Sequence, residues 1–563
     1  MQPTIIVIIG GVAGGASAAT RARRANEHAD IILFEKDEHV SFANCGLPYY
    51  IGGEIDERGK LLVASPQLLR ERFRIDVRTR QEVTAIDRQR KTLRVFNHAT
   101  GQSEEQRYDK LVLSPGAAPV VPPMPGVDAA NVFTLRNLAD ADRIKSAVTR
   151  EGGVRHVTVI GAGFIGLEMV EQLVATGVKV TLVELQPQVL PLFDPEMAQP
   201  LEADMRRAGV EVIVGDSVRQ FECGGSHVTA VELMSGTRFE TNAVVVGIGV
   251  RPNTRLALDA GLVIGASGGI ATNDVMQTND PDIYAVGDAA EYPYGPTSSR
   301  MRVALAGPAN RAGRIAGEHA ATGRAASMKP VLGTSIVRVF AQTAAMTGLT
   351  ERLAKRLKIP HESVIVHGRH HAGYYPGAQP ISIKLLFAPD TGKVLGAQII
   401  GQEAVDKRID VIATAMSFGA TVRDLAGLDL AYAPPFGSAK DPIHMAGFVA
   451  SNRLDGLVRF VGPGDDLDGY QVIDVRTPAE FAKEPLAHAS HAINVPLDSL
   501  RERLSELDAS QPTVVVCASG VRSYAAARIL QQNGFADVRS VSGGAKSRAD
   551  AVAAARRTKP AFV

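Results

Sequence analysis

The sequence predicts an α/β protein of several units: two Rossmann-like dinucleotide domains, a separate α+β domain, and a further α/β domain towards the C-terminal end. Three observations carry that expectation. Residues 4–35 and 157–184 repeat one pattern, an apolar strand, a Gly-rich turn, an amphipathic helix and a second strand ending in an acid. The glycines that open the two turns, Gly10 and Gly161, are 151 residues apart (161 − 10), so the copies belong to separate domains. Beyond residue 331, short β-like runs (335–340, 381–387, 394–400) alternate with one helical stretch near 404–418. The α/β rhythm then restarts with strand-like 471–475 and 513–517 and helical 522–533, after a probable linker marked by Gly456, Gly462, Pro463 and Gly464.

Size and composition agree with this division. A chain of 563 residues is too long for one core, and roughly 150 residues per domain gives about four units. The net charge of +1, from 61 basic and 60 acidic residues, gives neither nucleic acid nor an anionic membrane a reason to bind. Apolar runs fall short of the ~18 residues of a membrane helix. The strand at 5–9 leaves no room for a signal peptide, so a cytoplasmic protein is expected. The three cysteines, Cys45, Cys223 and Cys517, are too few and scattered for a disulfide scaffold or a zinc site, and no metal is expected.

The first turn, Gly10-Gly11-Val12-Ala13-Gly14-Gly15, follows an apolar strand and opens a helix. Such a turn aims backbone N–H groups and the positive helix end at a pyrophosphate. Val12 stands where the usual pattern has its second glycine, and Glu35 ends the next strand, where an acid accepts bonds from a ribose. The second turn, Gly161-Ala162-Gly163-Phe164-Ile165-Gly166, matches the pattern in full. Glu184 would bond the hydroxyls of an adenosine ribose and repel a 2′-phosphate, and Leu185, Gln186 and Pro187 offer no arginine to hold one. NADH preference is therefore expected. The two turns in tandem are followed by IYAVGD (283–288).

The segment SFANCGLPYY, Ser41 to Tyr50, lies just beyond the first repeat. With KLVLSPGA (110–117), the second nucleotide unit, IYAVGD, EAVDKRIDV (403–411) and YAPPFGSAKD (432–441), it resembles the coenzyme A-disulfide reductase, NADH oxidase and polysulfide reductase branch of the pyridine nucleotide-disulphide oxidoreductases, over about 450 residues. The resemblance implies FAD in the first site, held by Gly10 to Gly15, Glu35, Lys36, Ser114, Pro115, Gly116, Gly287, Asp288 and Ala306, with Asp288 on the ribityl chain. It implies NADH or NADPH in the second, with Gly161, Gly163, Phe164, Ile165, Gly166, Glu184 and Gly249. It also implies coenzyme A beside Ser17, Arg21, Arg24, Ser41, Phe42, Asn44, Asn310 and Arg311, completed by Tyr375, and by Tyr432 and Lys440 of the second subunit of a homodimer. The chain departs from the family at Phe73, near a family lysine, and at Asn310, a family histidine. The implied domains are FAD-binding 1–115 and 248–325, NAD(P)H-binding 116–247, and dimerisation 326–452.

Cys45 has Tyr50 five places on, so the C-x4-C pair of dithiol reductases is absent. One thiolate beside a flavin still handles two electrons if the substrate brings the second sulfur, as Cys45–S–S–R. A cysteine cycling through sulfenic acid would instead suit oxygen or peroxide reduction. From about residue 465 to 563 the chain resembles a single rhodanese domain, on Ile473 to Arg476, His491 to Pro496, Cys517-Ala-Ser-Gly520-Val-Arg522-Ser523 and Ser542 to Gly544. Its loop N–H groups, helix end and Arg522 favour a thiolate or persulfide at Cys517. Cys223, in FECGG, is read as structural.

The leading expectation is an NAD(P)H-dependent reductase of persulfide, polysulfide or coenzyme A disulfide, with Cys517 handling sulfane sulfur. The alternatives are an NADH oxidase or peroxidase at Cys45, and a sulfur carrier or redox sensor.

Overall fold

The computed structural model describes residues 3–149 and 151–555. The β-branched run Ile5–Ile9 forms the central strand of a parallel sheet ordered Ile283–Ala285, Lys110–Leu113, Ile5–Ile9, Asp30–Glu35 and Ile75–Thr79. Both faces of that strand are covered, which is why its apolar residues are continuous rather than alternating. The chain leaves this sheet after Leu113 and returns to it at Ile283. In between it builds a second parallel sheet, ordered Glu211–Val214, Lys179–Glu184, His156–Ile160, Ala243–Val246 and Val132–Phe133. Both crossings run through one antiparallel ribbon, Ala117–Pro119 against Val250–Pro252. The expected pair of Rossmann-like units is therefore present, the second inserted in the first.

Helix Ala13–Ala25 packs along helix Ala306–Thr322. The approach is close enough that a Cβ at Gly313 would lie 2.2 Å from the Gly14 carbonyl oxygen, and one at Gly317 2.2 Å from that of Ala18. Only glycine fits there. This contact brings the start of helix Ala306–Thr322 to the first nucleotide turn.

The third unit is an antiparallel sheet ordered Ser335–Val339, Gln342–Gly348, Val394–Gly401, Pro380–Phe387 and Glu362–Arg369. Helices Val405–Ser417 and Pro442–Leu454 bury Ile409, Ile412, Ile443 and Ala446 against Ile383 and Leu385. Between these helices, the wholly buried Arg408 donates to Asp441 (2.8 Å). A second buried cation joins this sheet to the inserted unit: Lys384 Nζ lies 2.9 Å from Asp194, 2.6 Å from Glu196 and 2.6 Å from Glu351. Against the cost of burial, the three carboxylates hold the ammonium well above its usual range, and Lys384 draws Glu351 down to about 2. The ammonium occupies the space that a cation bound by these carboxylates would take.

The last unit is a parallel sheet ordered Arg459–Val461, Val538–Val541, Thr513–Val516, Gln471–Asp474 and Ile493–Asn494. The segment read from its glycines as a linker thus contains a strand, because Val461 is buried beside Val541 and pays for ordering the chain between Gly456 and Gly462. Helix Gly544–Ala555 packs on helix Pro195–Arg207 of the inserted unit. Among the described residues, no helix is long and apolar enough to cross a membrane.

Candidate active site

One cleft of about 2840 Å³ is lined by both Gly-rich turns and by Cys45. At the first turn Gly10 has φ +91°, and a Cβ there would lie 2.1 Å from the Ser114 carbonyl oxygen. Gly10, Val12, Ala13, Gly14, Glu35 and Lys36 line the cleft, as do Ser114, Pro115, Gly116, Gly287, Asp288 and Ala306. Gly11 and Gly15 sit behind it. Gly11 donates its N–H to Glu35 (2.8 Å), and a Cβ at Gly15 would be 1.8 Å from the Gly10 oxygen. Glu35 also accepts the Asp37 N–H (3.0 Å); burial raises its carboxyl, and these two backbone bonds oppose the rise.

The second turn repeats the device. Glu184 accepts the N–H groups of Ala162 and Gln186, each at 2.7 Å. Gly161, Gly163, Phe164, Ile165, Glu184 and Gly249 line the same cleft, whereas Gly166 packs against the Gly161 oxygen. One contact here has no trace in the local sequence. Arg352, from the third unit, donates to the Gln186 side chain (3.2 Å) and to the Pro191 carbonyl (3.1 Å). A cation thus stands close behind Glu184 although none directly follows it in the chain.

Cys45 is carried on the single turn Asn44–Gly46, which runs straight into helix Leu47–Gly52. Ser41, at φ +48°, is pinned by donating its N–H to the Gly11 oxygen (2.8 Å). This fastens the cysteine segment to the first nucleotide turn. The sulfur is exposed to the cleft while protein surrounds it on the other sides, and desolvation raises its thiol; the carboxylates of Glu168 and Asp288 add to the rise. Among the described residues no positive group offsets them, so the thiolate that the sequence reading requires depends on what fills the cleft.

Glu168 is the principal residue that sequence reasoning missed. It lines the cleft two places beyond Gly166, accepts from Tyr49 Oη (3.3 Å), and burial pushes its carboxyl up to about 7. Arg338 lies over the Tyr49 ring (5.5 Å) and pairs with Glu171 (2.7 Å), which holds this wall of the cleft together. A carboxyl buried beside a cysteine in a cleft is a signal, but its burial is not written in the local pattern.

The residues expected around coenzyme A divide into three groups. Ser17, Ser41, Phe42, Asn44 and Asn310 line the cleft, and Ser17 Oγ donates to Asn310 Oδ1 (2.5 Å). Arg21, Arg24 and Arg311 do not line it. Arg21 is paired with Glu318 (2.6 Å) and Arg24 donates to the Thr20 carbonyl (3.0 Å), since both lie on the flank of helix Ala13–Ala25. Tyr375, Tyr432 and Lys440 are also away from this chain's cleft. Tyr432 instead meets Tyr374, hydroxyl to hydroxyl (2.8 Å).

Cys517 lies in the last unit, 1% exposed, at the end of strand Thr513–Val516. Its sulfur accepts the Gly520 N–H (3.2 Å) at the start of helix Val521–Gln532. Arg522 makes a two-pronged pair with Glu480 (2.8 Å each) on the same rim, and this pairing holds its guanidinium above the usual range, with a smaller contribution from Cys517. Cys223, read as structural, is exposed on strand Val218–Gly224, where the pairing shifts register between Glu222 and Cys223.

The cleft fits two dinucleotides. Gly10 and Gly161 press on backbone, Gly163 faces open space, two acids end the second strands, and the buried Asn44 Oδ1 has no partner among the described residues. Residues 4–313 match the family model described as pyridine nucleotide-disulphide oxidoreductase, which covers more than half of the chain. The chain belongs to the pyridine nucleotide-disulphide oxidoreductases. The dimerisation domain of that family matches residues 334–442, and a rhodanese-like domain matches 464–550. Among relatives of this oxidoreductase, the coenzyme A disulfide reductase of Staphylococcus epidermidis is 36% identical over 452 residues, 79% of this chain and 99% of that one. The structure of reduced Bacillus anthracis CoADR-RHD is similar at 45% identity and a TM-score of 0.93, covering 98% of this chain and 99% of that one. An NAD-dependent persulfide reductase from A. fulgidus is similar at 38% identity and a TM-score of 0.90, covering 97% and 100%.

Proposed function

We propose that the chain is an NAD(P)H-dependent FAD reductase of persulfide, polysulfide or coenzyme A disulfide, acting through Cys45, with Cys517 handling sulfane sulfur. The observation that carries this reading is that Cys45 stands alone in a cleft shared by two dinucleotide cradles, with neither other cysteine lining it. FAD in the first cradle, fed by NAD(P)H in the second, supplies an electron pair. The chain's residues do the rest. The Cys45 thiolate attacks the sulfur bearing R in RS–SH, the S–S bond breaks, and HS⁻ leaves with the bonding pair. Two electrons then cleave Cys45–S–S–R, releasing RS⁻ and returning the thiolate. Glu168, its carboxyl raised to about 7, shares a proton with solvent near neutral pH at the wall where these anions are released.

Ser17, Asn44 and Asn310 offer polar groups to coenzyme A within one chain. Tyr432 and Lys440 would reach it from a second subunit, and the match of residues 334–442 to the family's dimerisation domain supports a homodimer. The free cysteines suit a reducing, cytoplasmic setting. NADH is the expected donor, because Glu184 faces the ribose end. The test is anaerobic turnover of NADH with a persulfide, polysulfide or coenzyme A disulfide, with sulfide and thiol measured. Turnover that requires O₂ or H₂O₂ and yields no reduced sulfur would favour the oxidase alternative.

A further inference from the structure

The Cys517 loop is braced by a turn of its own domain that rests on another. The carbonyls of Cys517 and Ala518 accept the N–H groups of Ala545 (2.8 Å) and Lys546 (3.2 Å). This leaves the loop free to aim the Gly520 N–H at Sγ. Gly544 allows that contact, since a Cβ there would lie 2.4 Å from the Cys517 oxygen. The bracing turn, Ser542 to Ser547, rests in its turn on the edge strand Glu362–Arg369 of the dimerisation sheet. Ile365 donates its N–H to Ser542 Oγ (2.9 Å), and His367 Nε2 bonds Ser547 Oγ (2.9 Å). The other ring nitrogen bonds Ser382 Oγ (2.7 Å), directly across the sheet. Both serines of the turn are nearly inaccessible to solvent. Burial, helped by the Lys546 ammonium, lowers His367 to about 3, so the imidazole is neutral and has one N–H to give and one nitrogen to accept with.

We infer that His367, fixed by Ser382 and bonded to Ser547, is a positioning residue for Cys517, so that the dimerisation sheet forms part of the sulfurtransferase site. The inference rests on the reading of Cys517 as a sulfur acceptor. With thiosulfate as probe, the Cys517 thiolate attacks the sulfane sulfur, the S–S bond breaks and sulfite leaves with the bonding pair. Cyanide then takes that sulfur as thiocyanate and returns the thiolate. A loosened brace lets the Gly520 N–H drift from the sulfur, and the thiolate loses its partner.

The experiment uses the full-length, flavin-loaded chain. His367→Ala and Ser547→Ala should each lower kcat/KM for thiosulfate about five- to tenfold, the effect of one buried hydrogen bond. Alkylation of Cys517 by iodoacetamide, followed on its peptide by mass, should slow in parallel. The double variant should be no worse than the worse single, because both remove one link. His367→Gln, which keeps a polar nitrogen at that reach, should recover most of the loss, and NADH-driven reduction of coenzyme A disulfide should be unchanged throughout. Ser542→Ala gives the same readout should His367→Ala lose its flavin. Parent rates of thiocyanate formation and alkylation in the Ala variants would overturn the inference. A parent chain with no thiocyanate formation dependent on Cys517 would overturn the sulfur-acceptor reading, while the alkylation rates would still decide whether the brace exists.

Discussion

Glu168 gives the sharpest physical test of the cleft. Its carboxyl stands at about 7 against an ordinary 4.5, with burial the main cause. A carboxyl raised in the folded state binds more protons there than in the unfolded chain, so it costs stability as pH rises from about 4.5 through about 7. At roughly 1.4 kcal/mol per pH unit of displacement, the ceiling is about 3 kcal/mol; with one side open to the cleft, about 1–2 kcal/mol is the expected share. Glu168→Gln keeps the shape and the bond to Tyr49 and cannot ionise. The flavin-free variant should therefore match the parent at about pH 4 and melt a few degrees higher at about pH 8, since about 1 kcal/mol moves a domain of this size by roughly 2–8 °C. The assay is thermal unfolding of both flavin-free proteins across that range. A melting difference independent of pH would refute a proton held by burial at this wall. In the loaded enzyme, the same substitution should flatten the limb of the kcat profile near pH 7.

Cys45→Ser should abolish anaerobic sulfide and thiol formation while FAD stays bound, since the serine hydroxyl disturbs no nucleotide contact; measurable NADH-dependent sulfide release would count against the mechanism. Gly10→Ala should lose FAD by more than about tenfold, read as flavin absorbance per chain, because its Cβ meets the Ser114 oxygen at 2.1 Å. Glu184→Ala should lower kcat/KM for NADH by about tenfold, the worth of a charged hydrogen bond. The same change should narrow the preference over NADPH, with Arg352 bonded to Gln186 at that end; a parent enzyme faster with NADPH would refute the preference. Lys384→Met should destabilise by about 3–5 kcal/mol, because Asp194, Glu196 and Glu351 would be left buried without their counter-ion. Chemical denaturation that shows no loss would contradict that account.

The sequence carried the parts of the site that are local. A strand, a Gly-rich turn and an acid are contiguous in the chain, so both cradles were legible, and so were Cys45 and Cys517 in their loops. The pieces it did not carry are held by tertiary packing. Arg352 reaches Gln186 from 166 residues away, and Glu168 is raised by burial that a helical pattern does not reveal. Resemblance to the family places Arg21 and Arg24 beside coenzyme A, yet one is engaged by Glu318 on a distant helix and the other turns back on its own. The strand Arg459–Val461 looked like a linker because glycines flank it, and pairing with Val538–Val541 decided otherwise.

The insertion of one nucleotide unit in the other has a consequence for synthesis. Lys110–Leu113 acquires its outer neighbour only when Ile283–Ala285 has been made, 170 residues later (283 − 113). At about 5–20 residues per second, the nascent chain spends roughly 10–35 s with that backbone edge unpaired. The inserted unit closes its sheet meanwhile from strands that are all its own. Nascent chains stalled at about residue 285, with the tunnel hiding some tens of residues, should therefore be cut by protease in the first unit and spared in the second, and chains stalled beyond about 330 should resist in both. Order of emergence from the ribosome lets the inserted unit fold before the first unit has its last strand.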